Sequence, residues 1–79
     1  MTEQPLNFDD ANQRNAWIIE NAESFTAFRM LNRQRQRMDA ASIDEARSMA
    51  KTMLIENPKP VLIYAVNGLS DTFVEMVKP

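Results

Sequence analysis

A chain of 79 residues suffices for one small domain, which buries about two-thirds or less of the surface its unfolded chain exposes. The absence of cysteine and histidine excludes disulfide staples and thiolate or imidazole metal sites, removes the commonest nucleophile and general base, and fits a reducing cytoplasm. A formal net charge of −2 speaks against bulk attraction to nucleic acid, and no stretch approaches the roughly 18 apolar residues of a membrane helix.

The N-terminal MTEQPLNFDD has neither the basic start nor the apolar core of a secretory signal. Residues 1–14 read as a mobile polar arm with only Leu6 and Phe8 to anchor it, followed by a single domain over residues 15–79. A short helix from Asp9 is the alternative, because Phe8 beside Asp9 and Asp10 has the form of a staple and cap. From residue 15 to residue 37 the apolar positions, Trp17, Ile18, Ile19, Ala22, Phe25, Ala27, Phe28, Met30 and Leu31, spread around a helical wheel, so a helix here has no single stripe to bury. Two strands, AWIIEN and FTAFRML with its polar continuation, joined at Ala22-Glu23-Ser24, suit the aromatic and β-branched content better. That loop contains neither Gly nor Asn, and a helix remains the competing reading.

Residues 42–57, SIDEARSMAKTMLIEN, predict an amphipathic helix: Ala46, Met49, Ala50, Met53 and Leu54 share a face, with Ile43 one turn upstream. Ser42 and Glu45 form a capping box, Asp44 and Glu45 favour the positive end of the helix dipole, and Asn57-Pro58 stops the helix. Residues 60–67, PVLIYAVN, then run as a strand into Asn67-Gly68, a strong hairpin signal, with residues 72–77 as the partner strand. Loops of two or four residues give the same faces. Val61, Ile63, Ala65, Thr72, Val74 and Met76 point toward the helix, and Leu62, Tyr64, Val66, Asp71, Phe73 and Glu75 point away. The expected fold is a two-layer α+β domain, β-β-α-β-β, with one helix packed on a four-stranded antiparallel sheet.

In so short a chain, the capped helix leading into KPVLIYAVNGLSDTFVEMV resembles small accessory proteins encoded by bacteriophages. The resemblance covers the second half of the chain, contains no functional motif and assigns no residue a role. It implies a modulator or inhibitor of a host protein.

For function, neither Asp9-Asp10 nor Asp44-Glu45 makes a site, since sequence neighbours point apart, and no phosphate, dinucleotide or calcium loop is present. No enzyme activity and no cofactor are expected. Four of the nine basic residues cluster as Arg29, Arg33, Arg35 and Arg37. On one continuous strand they would share a face with Leu31, spaced about 6.6 Å apart, a comb for phosphate or carboxylate groups. Trp17, Phe25 or Phe28 would supply stacking surfaces. The plain alternative is a charged strand end that discourages edge pairing. Met49 and Met53 read as core. If the helix covers one side of the sheet, Leu62, Tyr64, Val66 and Phe73 form an apolar patch on the other, to be covered by the N-terminal arm, a second copy or a different protein. The expectation is a non-enzymatic protein that binds a macromolecule by occupancy, through Trp17, Arg29, Arg33, Arg35, Arg37, Leu62, Tyr64 and Phe73. A protein partner is favoured over single-stranded nucleic acid by the net acidity, and a structural homodimer is the third reading.

Overall fold

The computed structural model describes residues 11–79. The expected arm falls mostly outside them, as does any anchoring by Leu6 and Phe8. The elements run α1 (Ala11–Glu20), β1 (Ser24–Leu31), β2 (Gln34–Ala40), α2 (Ile43–Glu56), β3 (Val61–Asn67) and β4 (Ser70–Val77). The strands form one antiparallel sheet in the order β2-β1-β3-β4. The α+β class, a sheet of four antiparallel strands and the helix α2 packed on it are as the sequence predicts, and α1 is a second helix.

The first hairpin is not where the sequence places it. AWIIEN is not a strand but the end of α1, preceded by residues such as Ala11, Gln13 and Arg14 that favour helix. No broad apolar stripe is needed, because Ile18 alone is fully buried. The helix ends at Asn21, whose backbone N–H and side-chain Nδ2 both donate to Trp17 O, each at 2.9 Å. Ala22-Glu23-Ser24 therefore leads from α1 into β1 rather than joining two strands. The real turn is Asn32-Arg33, with φ of 51° and 68°, the left-handed pair that a two-residue hairpin loop of the I′ kind requires. Asn tolerates this conformation, and Arg rarely adopts it.

The second half follows expectation closely. Ser42 is extended and its side chain accepts the Glu45 N–H at 3.1 Å, which satisfies one open donor of the first turn. At the far end the Asn57 N–H donates to Met53 O at 3.0 Å. Gly68, at φ +59°, is the first residue of the β3–β4 loop and Leu69 the second, the position where glycine relieves the strain of positive φ. Val66 thus pairs with Asp71.

A shift of register at Ile63/Tyr64 changes two assignments, those of Glu75 and Met76: Tyr64 still faces Phe73, but Ile63 faces Glu75 and Leu62 faces Met76. Val74 is the extra residue of this bulge. Beyond it the faces exchange, so Glu75 turns toward α2, where it meets Arg47 at 2.7 Å, and Met76 turns away.

One face of the sheet is closed. Ala27, Ala40, Val61 and Ile63 pack with Ala46, Ala50 and Met53 of α2 in a single cluster, which Phe25, Val74 and Val77 extend. Near the other end Ile18, Ala65 and Thr72 are buried where α1 meets β3 and β4. Burial of Ile18, Met53, Ile63 and Val61 stabilises the fold by about 1.5–3 kcal/mol each.

Candidate functional site

Period-two alternation along each strand sends every second residue to the face that neither helix covers. The registers place Thr26, Phe28 and Met30 of β1 there, with Arg35, Arg37 and Asp39 of β2, Leu62, Tyr64 and Val66 of β3, and Asp71, Phe73 and Met76 of β4. Three of its large apolar side chains are about half exposed, Met30 at 51%, Phe73 at 48% and Met76 at 45%, and Phe28, Leu62, Tyr64 and Val66 are partly buried, whereas Ala27, Val61, Ile63 and Ala65 on the closed face are each 0% exposed. The Tyr64 and Phe73 rings meet edge to face, with centroids 6.0 Å apart and planes at 75°. Beside them is an open concavity of about 350 Å³ floored by Phe28, Tyr64 and Val66, with Thr26 and Arg37 on one side and the turn at residues 68–71 on the other.

A polar rim holds the β2 side in place. Buried Thr26 donates from Oγ1 to Asp39 Oδ1 at 2.9 Å, and Arg37 Nε donates to the same oxygen at 3.1 Å. The Thr26 hydroxyl first, and Arg37 second, hold the Asp39 carboxyl below its ordinary value of 3.8. At the opposite end the Gly68 N–H donates to Glu23 Oε1 at 2.6 Å, and Asn67 Nδ2 donates to Asn21 O at 2.7 Å, which fixes the loop beside the concavity.

The structure gathers some of the sequence-predicted residues and separates others. Leu62, Tyr64, Phe73, Arg35 and Arg37 share the open face. The expected four-arginine comb does not form, because the chain reverses at Asn32-Arg33. Exposed Arg33 sits in that turn. Arg29 points to the closed face and is only 3% exposed. Its guanidinium donates to Asn57 O at 2.6 Å, Met53 O at 2.7 Å, Lys59 O at 3.0 Å and Gln36 Oε1 at 2.6 Å. The last turn of α2 contains no basic residue, so Arg29 supplies the cation that the negative end of a helix favours. Trp17 is half-buried on α1, apart from the open face.

Three further residues belong to the open face. The sequence marks Phe28 only as a stacking ring on the arginine comb, leaves Met30 without a surface, and sets Met76 under the helix by simple alternation. For the first two the available signal is Asn32, the only Asn or Gly between residues 22 and 41; a bulge such as the one that turns Met76 outward leaves no such mark. Among the described residues no helix is long and apolar enough to cross a membrane. No protein-family model, curated protein or solved structure matches the chain.

Proposed function

We propose that this protein is a small non-enzymatic binding domain that holds another protein against its open sheet face and modulates that partner by occupancy. The observation that carries this reading is the contrast in exposure between the two faces of one sheet. Phe73, Met30 and Met76 stay about half exposed on a rigid four-stranded platform, in a chain small enough that every large apolar side chain matters to its core. Aromatic residues and arginine are the types that dominate binding hot spots, and both occur here. Several carboxylates have structural partners instead of free reactive geometry: Asp39 with Thr26 and Arg37, Glu75 with Arg47, and Glu23 with the Gly68 N–H.

Affinity capture from nuclease-treated bacterial lysate tests the reading. The wild-type chain should retain a discrete protein, and Phe73→Ala and Tyr64→Ala should each lose it while circular dichroism and thermal melting show a folded domain. Retention by both folded variants would overturn the proposal, as would variants that unfold, since the two side chains would then be core.

A further inference from the structure

We infer that the partner of the open face is an acidic protein segment, with an apolar side chain seated beside Tyr64 and carboxylates directed at the β1–β2 end of the sheet. This inference rests on the binding reading above and specifies its chemistry. The chain has six arginines. Four are engaged: Arg29 with the α2 carbonyls, Arg37 with Asp39, Arg47 with Glu75 and Asp44, and Arg14 with Asn15. The side chains of Arg33 and Arg35 are exposed and have no hydrogen bond or ion pair among the described residues, Arg33 in the β1–β2 turn and Arg35 opposite Met30 on the open face. A protein of net charge −2 thus leaves two uncommitted guanidinium groups at the β1–β2 end of its open sheet face. Guanidinium pairs carboxylate through two parallel hydrogen bonds.

The same surface disfavours nucleic acid. Tyr64 and Phe73 stand at 75° to each other, so the two rings cannot both present flat faces to successive bases, as stacking requires. Met30, Leu62, Val66 and Met76 offer no stacking surface, and methionine adapts well to apolar protein anchors.

Register sets the spacing. Tyr64 lies opposite Thr26, and Arg35 lies opposite Met30. Four residues along β1 separate these rows, about 13 Å at 3.3 Å per residue, and β3 and β2 flank β1 at about 4.8 Å each, which puts Tyr64 and Arg35 about 16 Å apart. The partner's carboxylates therefore lie about five residues of extended chain from its apolar anchor.

Selection of displayed random peptides against the full chain tests the inference with the peptides themselves as probes. Recovered sequences would be synthesised as free peptides and measured by calorimetry against the wild type, an Arg33→Glu/Arg35→Glu variant and Phe73→Ala. The expected peptides combine an apolar anchor with an excess of Asp and Glu, and lose about tenfold in affinity or more on the double charge reversal. Neutral or basic peptides, an empty selection, or peptides indifferent to the charge reversal would overturn the inference. Oligothymidylate bound more tightly than any peptide would replace it with a nucleic-acid partner. Peptides lost from Phe73→Ala but kept by the double variant would preserve the binding face and remove only its acidic complement.

Discussion

The two faces of the sheet are made by alternate residues of the same strands, yet they differ in how they are covered. The closed face presents Ala27, Ala40 and Ala65 to helices, and α2 answers with Ala46 and Ala50, all nearly or fully buried. Small residues let helix and sheet backbones approach closely. The open face carries Phe28, Met30, Tyr64, Phe73 and Met76, side chains whose burial would stabilise a core most. The closed face is thus filled by helices, while Met30, Phe73 and Met76 on the open face stay about half exposed.

The contrast is most open to challenge at its two arginine sets. Arg29→Met should cost about 3 kcal/mol in urea unfolding, because it strips partners from carbonyls at the end of α2, whereas Arg35→Met on the open face should stay within about 0.5 kcal/mol. Similar losses for both would mean that the open face is a second core. Ala27→Leu should cost about 2 kcal/mol by forcing α2 off the sheet, while Met30→Leu, directed to the other face, should leave the denaturation midpoint nearly unchanged.

The smallest effect concerns Asp39 at the rim. Its folded carboxyl value is lowered, first by the Thr26 hydroxyl, so its contribution is complete above the unfolded value near 3.8 and disappears as pH falls through the folded value. Thr26→Val should flatten the acid limb of a stability profile taken from about pH 5 to about pH 2. An unchanged limb would show that the Thr26–Asp39 hydrogen bond does not persist in solution.

Legibility in the sequence followed local chemistry. The α2 helix and the β3–β4 hairpin carry their own instructions in Ser42, Glu45, Asn57-Pro58 and Asn67-Gly68; the helix formed as read, and the hairpin did so up to the bulge that exchanges the faces of Glu75 and Met76. The N-terminal half lacked such marks. Trp17, Ile18 and Ile19 look like strand residues, but one buried isoleucine and a tertiary contact with β3 and β4 hold them as helix, since β propensity yields to context. Of the site, Leu62, Tyr64 and Phe73 were readable from alternation. Phe28, Met30 and the split of the arginines depended on the turn at Asn32-Arg33, and Met76 on the bulge. Arg29 looked like part of a basic surface because nothing in its neighbourhood announces a helix end 28 residues away.

Strands β2 and β3 both pair with β1, so they run parallel to each other, and the β2-α2-β3 connection passes over the strand between them. Arg29 belongs to that middle strand and grips the point where the connection descends into β3. A slip of two residues between β1 and β3 would carry the guanidinium about 6.6 Å from its carbonyls. One side chain thus ties the central strand pairing to the end of α2, and the native β1–β3 alignment is the one in which these hydrogen bonds form.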